Sequence, residues 1–258
     1  ARPTAVIGDI ADRDTISVTA DTDQEECVRL MERYNLIQLP VVDSDGKLTG
    51  VILAEDMVDV VEEEATEDMY RIASVAGERV MGPLSNSLRR RLPWLYINLG
   101  TALFAGLMIS FFESTITKVV ALAIFLPVVA GQGGIGGTQT VTLVVRSMAL
   151  GDVPRHLGFP LLVREASLGL INGAFLGVVV GLVAYAWKGN GTLGIVLGLA
   201  MMGNMVVAGL AGAGVPLLLR RLGMDPAVPS AVFVTTFTDV IGFLLFLGLA
   251  AAFINYLG

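Results

Sequence analysis

The pattern of apolar and polar positions divides the chain near residue 91. Beyond that point, five apolar stretches are long enough to cross a bilayer. They cover residues 92–112, about 118–150, 166–187, 193–219 and about 227–257. Before it, short apolar segments alternate with polar turns. The pattern therefore predicts a soluble N-terminal module followed by a mainly α-helical membrane bundle of five spans.

The N-terminal module has the predicted order strand, helix, strand, turn, strand, helix. Thr22 as N-cap, with Glu25 three residues later, predicts a capping box at the first helix. The strand over 39–43 is followed by a turn whose Gly46 supplies a positive φ, and then by a strand over 48–52. Because so small an α/β unit buries little apolar surface, we expect it to pair with a second copy.

The two regions differ in net charge. The 258 residues carry a net charge of −7. Residues 1–91 hold 19 acidic and 10 basic residues, a net of −9, whereas residues 92–258 hold 5 acidic and 7 basic residues, a net of +2. Without a basic stripe, nucleic acid is excluded as a partner. The single cysteine, Cys27, excludes an internal disulfide.

No catalytic motif is found in the sequence, so we expect a protein that is not an enzyme.

An acidic run precedes the membrane region. Seven acidic residues fall within thirteen positions, namely Asp56, Asp59, Glu62, Glu63, Glu64, Glu67 and Asp68. A solvated helix face is one interpretation. The other is a cation sensor, because like charges on adjacent turns repel each other unless a hard divalent cation lies between them. The helical spacing continues over 70–92 into the first span, which favours the sensor.

Positive residues predict the orientation in the membrane. Arginines occur at 89–91, at 155 and 164, and at 220–221, in alternate loops, whereas the other connections hold only Lys118 and Lys188. By the positive-inside rule, the N-terminal module is cytoplasmic and the C-terminus lies outside a cytoplasmic membrane that the chain crosses several times.

A single carboxylate lies near the middle of the fifth apolar stretch. Asp239 is flanked on both sides by apolar turns, where a charge costs about 2–3 kcal/mol or more. A cation pathway explains it, with Thr235, Thr236 and Thr238 adding oxygen ligands on adjacent turns. The alternative is a protonated residue that only packs between helices.

Two glycine patterns and two further acidic residues lie in or beside the apolar stretches. The glycine-rich segment 131–137 predicts irregular backbone whose carbonyls face a cation's water shell, with a packing kink as the alternative. Glycines at every fourth residue over 169–181 predict close helix packing. Glu113 and Glu165 lie at span ends, where we expect them to be solvated at the interface.

The N-terminal module resembles a CBS (cystathionine-β-synthase type) motif. The resemblance rests on "LPVVDSDGKLTGVILAEDMVDV", preceded by "DTDQEE". Such motifs work in pairs, and many pairs bind adenine nucleotides through a Thr or Ser in the last strand and an Asp at the next helix start. Asp56 matches that Asp, but Leu53 stands where the hydroxyl is expected. The resemblance thus implies either adenine nucleotide binding or a regulatory or dimerising module with no small ligand.

The whole chain resembles the MgtE family of magnesium channels and transporters. The matching strings include "EEEATED", "RLPWLYINL", "LPVVAGQGGIGGTQTVTLVVRSMALGDV", "RRLGMDPAV" and "TTFTDVIGFLLF". The resemblance implies five transmembrane helices per subunit, preceded by a partial α/β CBS domain and a connecting helix. It also implies a homodimer with a pore on its two-fold axis. Mg²⁺ is then both the transported ion and the regulatory ligand that closes the channel.

The family's metal-binding positions can be transferred to this chain. Asp239 matches the pore aspartate, and Thr235 matches a position that contributes a carbonyl. The positions matching regulatory Mg²⁺ ligands are Asp23, Glu25, Asp56, Asp59, Glu64, Glu67 and Asp68. The implied organisation is a partial CBS motif at 1–63, a connecting plug helix at 64–91 and a pore domain at 92–258. The family's N-terminal acidic domain and first CBS motif lie outside this sequence.

Two positions depart from the family pattern. Ile135 follows Gly133-Gly134 where the family usually has Asn, so a pore-facing amide is missing, and transport of another divalent such as Co²⁺ or Mn²⁺ stays open. Asn35 replaces a common acidic residue of the CBS motif. Beside a Mg²⁺ channel, two functions therefore remain, a coupled secondary transporter of Mg²⁺ or another divalent and a membrane-anchored nucleotide sensor.

Overall fold

A computed structural model describes residues 6, 15–78, 80–226 and 230–257. The contacts between residues separate the chain into two units, 1–66 and 67–258. The strands are β1 (Val18–Thr19), β2 (Gln38–Val42) and β3 (Leu48–Leu53). The helices are α1 (Gln24–Tyr34), α2 (Asp56–Ile72), α3 (Leu84–Ser110), α4 (Glu113–Lys118), α5 (Ala121–Ala149), α6 (Gly158–Lys188), α7 (Gly191–Arg221) and α8 (Ser230–Ala252).

The N-terminal unit contains the predicted small sheet. Strand β2 lies in its centre, parallel to β1 and antiparallel to β3. The β2–β3 turn is held by the Asp43 carboxylate, which accepts hydrogen bonds from the N–H groups of Asp45 (3.0 Å) and Lys47 (2.8 Å). Gly46 has the expected positive φ of 77°. The first strand, predicted over 15–18, is the two-residue β1 at Val18–Thr19.

The start of α1 differs by one residue from the sequence prediction. Asp23, rather than Thr22, is the N-cap, and its side chain accepts from the N–H of Glu25 at 2.9 Å. The Thr22 hydroxyl oxygen instead accepts from the N–H of Thr19 at 3.1 Å. Both residues are good N-caps, so their local propensities alone could not separate them.

The buried core of this unit is small, as its length predicts. The buried apolar residues are Val18, Cys27, Met31 and Leu39. Burial, together with the nearby carboxylates of Asp23 and Glu26, raises the pKa of the Cys27 thiol. The only cysteine of the sequence is therefore a core residue, held as the neutral thiol.

The stretch over 70–92 is not one helix. Helix α2 ends at Ile72 and α3 begins at Leu84, because Ser74 and Gly77 take positive φ angles of 61° and 68° between them. The Glu78 carboxylate accepts from Arg91 Nε (2.6 Å) and Nη2 (2.7 Å), and these bonds lower the pKa of Glu78. The turn is thereby fastened to the first turns of α3.

The membrane unit has the five expected spans. Helices α3, α5, α6, α7 and α8 are long and apolar enough to cross a membrane. The first begins eight positions before the predicted boundary, at Leu84 rather than residue 92, and includes the three arginines at 89–91. Among these spans α7 is the most buried and α3 the least.

The glycine ridge on α6 packs against α7 as its spacing predicts. A Cβ atom on Gly177 would lie 2.6 Å from the carbonyl oxygen of Gly198, and one on Gly181 would lie 2.7 Å from that of Gly194. A Cβ on Gly169 would collide with the carbonyl of Met205. The absence of side chains on this face therefore allows the two backbones to touch.

We expect Gly177→Ala to destabilise the membrane unit by about 1–3 kcal/mol, because its methyl group meets backbone that cannot rotate away. Thermal unfolding in detergent measures the effect. Gly100→Ala on α3 is the matched control, since no atom lies within 4 Å of its Cβ position. Equal unfolding temperatures for the two variants would contradict the packing interpretation.

Candidate cation site

An open groove of about 760 Å³ runs along α5 and reaches α8. Its lining residues are Gly131, Gly134, Ile135, Thr138, Gln139, Thr142, Leu143 and Thr235. The groove surface is mostly apolar, with polar side chains at Thr138, Gln139, Thr142 and Thr235. The exposed amide of Gln139 needs hydrogen-bond partners that lipid tails do not offer, so water or another polar surface is its more favourable neighbour.

Three threonines present oxygen acceptors to the groove. The hydroxyls of Thr138 and Thr142 donate to main-chain carbonyls one turn earlier, those of Gly134 (2.8 Å) and Thr138 (3.0 Å). The Thr235 hydroxyl lies 3.0 Å from the carbonyl of Ala231. Because each hydroxyl hydrogen is used by the helix, the free lone pairs of the oxygens remain for a cation or its water shell.

Asp239 lies one helical turn after Thr235, on the same face of α8. Its carboxylate is half-buried and makes no hydrogen bond or ion pair with any residue in the described ranges. An unpaired carboxylate at this depth of a span is expensive unless an ion, water or a proton compensates it. Of the residues predicted from sequence, Thr235 lines the groove, and Asp239 follows it by one helical turn without being a lining residue itself.

The other two threonines of this segment do not face the groove. Thr238 is fully buried against α5, and its hydroxyl donates to the carbonyl of Thr235 at 3.0 Å. The Thr236 hydroxyl donates to the carbonyl of Val232 at 2.7 Å. The expectation that Thr238 adds a ligand is therefore wrong, since it packs between helices. The Thr235 carbonyl also has a partner already, so its hydroxyl oxygen is the freer ligand.

The glycine-rich segment of α5 is regular helix, and the expected irregular backbone is wrong. Helix α5 continues from Ala121 to Ala149 through Pro127 and all five glycines. Three of those glycines are packing sites. A Cβ on Gly136 would lie 2.8 Å from Met205 Cε, and Cβ atoms on Gly133 and Gly137 would collide with Asn204 and Val234. Glycine lowers helix propensity in water, but close contacts compensate for this inside a helical bundle.

Glu165 is buried, whereas Glu113 is exposed as expected. The Glu165 carboxylate pairs with Arg164 Nη1 at 2.5 Å and accepts from the Thr140 hydroxyl at 3.3 Å. It lines a cavity of about 190 Å³ between α5, α6 and α7, which shares Gln139 and Leu143 with the groove. The expectation of interface solvation is thus wrong for Glu165. Its position after Arg164 and beside apolar turns was the only signal in the sequence.

The acidic residues of the N-terminal unit are dispersed over two helices. Asp23 caps α1, and Glu25 pairs with Arg29 at 3.6 Å in its first turn. Asp56 and Asp59 occupy the first turn of α2, and the Glu64 carboxylate accepts a hydrogen bond from Gln24. Within the described ranges, no three His, Cys, Asp or Glu side chains lie close enough together to hold a metal ion.

The end of α2 lies in the membrane unit and contacts the helices that form the groove. Arg71 pairs with both Glu67 and Asp225. Ile72 packs against a cluster formed by Val141 and Val145 of α5 and Val234 of α8. Asp68 is half-buried in the turn before Arg71 and has a partner of its own. Two of the predicted regulatory residues, Glu67 and Asp68, thus lie one turn from a direct contact with α5 and α8.

Comparison with known proteins defines the class. Residues 126–249 match the MgtE family, described as a divalent cation transporter, and residues 7–63 match the CBS domain. The chain is therefore a CBS-containing membrane protein whose helical bundle belongs to the MgtE family.

Two curated relatives carry the same name. The chain is 37% identical over 254 residues to the magnesium transporter MgtE of Thermus thermophilus, covering 97% of this chain and 56% of that protein. It is 34% identical over 256 residues to the magnesium transporter MgtE of Bacillus subtilis, covering 99% of this chain and 57% of that protein. It thus spans somewhat more than half the length of these relatives. They are named as transporters, in agreement with the expectation that the chain is not an enzyme.

We expect Glu165→Ala to lower the stability of the membrane unit by about 1–2 kcal/mol, because it removes charge-assisted hydrogen bonds inside a cavity. Glu165→Gln keeps an acceptor for Thr140 and should lose less. The exposed Glu113→Ala is the matched control and should change little. Thermal unfolding of the three variants in detergent gives the order, and an equal effect of Glu113→Ala would contradict the difference in burial.

Proposed function

We propose that the chain conducts Mg²⁺ across a cytoplasmic membrane through a pore lined by α5 and α8. The observation that carries the proposal is the Asp239 carboxylate, half-buried within a span one helical turn after the groove-lining Thr235 and without a partner among the described residues. Mg²⁺ dehydrates reluctantly and keeps several waters, so a carboxylate with hydroxyl oxygens suits it as an outer-shell site. The names of the relatives support the choice of ion.

The pore is proposed to form between two copies of the chain. The groove is open along one side, and its lining includes the exposed Gln139 and Thr142. Helix α3 buries only Ala105 along its whole length, which leaves apolar surface for lipid or a second subunit. A two-fold partner would cover both surfaces and would place two Asp239 carboxylates across one pathway.

The N-terminal region is proposed as the cytosolic regulator of this pore. We assign residues 1–63 to the regulatory CBS motif, 64–91 to the connecting segment and 92–258 to the pore domain. The arginine distribution supports a cytoplasmic N-terminus and an external C-terminus. Leu53, at the end of β3, offers no hydroxyl to a nucleotide, so Mg²⁺ and not an adenine nucleotide is the proposed regulatory ligand.

The contacts at the end of α2 support a route for regulation. Ile72 touches the cluster on α5 and α8, so a shift of this helix end alters the helices that line the groove. Regulatory Mg²⁺ is proposed at Asp23, Glu25, Asp56, Asp59 and Glu64 of the N-terminal unit and at Glu67 and Asp68 of the membrane unit. Within each unit it would lower the repulsion between neighbouring carboxylates and favour the closed state. Loss of Mg²⁺ restores the repulsion and favours opening.

We expect Asp239→Asn to lower Mg²⁺ flux at least about tenfold, because the amide keeps the shape but removes the charge that attracts the ion. The measurement is Mg²⁺ entry into liposomes driven by membrane potential alone. Glu113→Gln, at an exposed span end, is the matched control. Undiminished flux through Asp239→Asn would reject the pore assignment. Wild-type entry that needs a Na⁺ or H⁺ gradient would indicate a coupled transporter.

We expect the double variant Glu67→Gln/Asp68→Asn to need about tenfold more cytosolic Mg²⁺ for closure, since Mg²⁺ affinity follows the charge of its ligands. Patch recordings with varied Mg²⁺ on the cytosolic face measure this shift. Glu62→Gln/Glu63→Gln, exposed in the same acidic run but outside the proposed ligands, is the control. An equal shift in both double variants would mean that only total charge matters.

A further inference from the structure

The side chain of Asn204 links the two helices that line the groove. Asn204 lies near the middle of α7 and is fully buried. Its Nδ2 donates a hydrogen bond of 2.9 Å to the main-chain carbonyl of Val129 in α5. Because this acceptor belongs to the backbone, the bond fixes the position of α5 along α7 rather than the rotamer of one side chain.

The same amide also fits closely against α8. A Cβ atom on Gly242 of α8 would lie 2.7 Å from Asn204 Nδ2 and 2.9 Å from its Oδ1. A Cβ on Gly133 of α5 would collide with the amide and lie 3.1 Å from Cβ of Thr238. Both glycines are therefore needed for the amide to enter between α5 and α8. Asp239 lies within the contacted turn, directly after Thr238 and three positions before Gly242.

Stability alone does not favour an amide at this position. Asn204 Oδ1 is the one buried side-chain acceptor without a hydrogen-bond partner in the part of the chain that the structure describes. A buried acceptor left without a partner destabilises a fold, and leucine has nearly the same shape without that penalty. The Nδ2–H bond to Val129 is what leucine would lose. A fixed register between helices is therefore the stronger reason for the amide.

We infer that Asn204 is a positioning residue for the cation pathway. It holds α5 at Val129 and the Thr238–Gly242 turn of α8 at one level of the membrane, and so sets the distance between the groove face of α5 and the Asp239 carboxylate. This inference rests on the proposed conduction of a divalent cation. It assigns Asn204 no contact with the ion.

Two variants of similar shape test the inference. Asn204→Leu removes the donor, and Asn204→Asp replaces the donor with a second acceptor opposite the Val129 carbonyl. We expect at least about a tenfold loss of apparent Mg²⁺ affinity, or of the Mg²⁺/Co²⁺ uptake ratio, for leucine, and a larger loss for aspartate. If the amide acted only through local charge, the added acid would instead strengthen cation binding. Asn98→Leu, exposed on α3, is the matched control.

A cross-linking assay reports the helix register without transport. A Cβ on Gly134 would lie 3.6 Å from Thr235 Cγ2, so side chains at these two positions are in contact across α5 and α8. The rate at which cysteines placed there form a disulfide is therefore sensitive to the register of the two helices. In a Cys27→Ser background, Gly134→Cys/Thr235→Cys should cross-link readily, and adding Asn204→Leu should slow the reaction severalfold. Unfolding in detergent confirms that each variant is folded, and the smaller Asn204→Ala replaces Asn204→Leu if the latter does not fold.

The outcomes separate this inference from the proposed function. If the wild type moves Mg²⁺ but the leucine or alanine variant keeps its affinity, ion preference and cross-linking rate, the positioning role is rejected. If the wild type and Asn98→Leu move no Mg²⁺ while Asn204→Leu still slows cross-linking, the conduction proposal fails and the register contact stands. A loss of both ion preference and cross-linking supports both.

Discussion

The backbone contact between α6 and α7 is the interaction on which the rest of the membrane unit depends. Lipid is as apolar as the helices, so the hydrophobic effect does not drive one span against another, and close packing must do so. Glycines at every fourth position of α6 let its backbone reach the carbonyls of Gly194 and Gly198. With one face occupied in this way, α7 presents Asn204, Met205 and Ala208 to α5. The position of the groove along α5 follows from this packing of α6 against α7 and of α7 against α5.

Features set by hydropathy and depth could be predicted from the sequence. Five spans, the packing ridge on α6 and an exposed Glu113 follow from length, spacing and position alone. Asp239 could be singled out because a carboxylate between apolar turns is rare enough to need a reason. None of these features depends on which helices become neighbours. They could therefore be predicted from the sequence without a structure.

Features set by neighbours could not be predicted in this way. The glycines over 131–137 reduce helix propensity, but contacts with Asn204, Met205 and Val234 stabilise a regular helix there. Glu165 was expected to be solvated because the residues of α5 and α7 that line its cavity are distant from it in the sequence. As an asparagine within a span, Asn204 favours a hydrogen bond between helices, but the sequence could not identify its acceptor, a carbonyl 75 positions away. The break between α2 and α3 was hidden because helical spacing continued on both sides of it.

The proposed conduction of Mg²⁺ does not need a cluster of carboxylates. A pore must attract an ion and then release it, so each site has to be weak. Three clustered carboxylates would strip water from Mg²⁺ and hold it, whereas in the proposed pore the single carboxylate of Asp239, one turn after the groove-lining Thr235, would bind the ion through its water shell. Ile135, exposed in the same groove, would offer no polar contact to that shell. Discrimination between hydrated divalent ions in the proposed pore then depends more on the spacing of α5 and α8, which gives the register between these helices its importance.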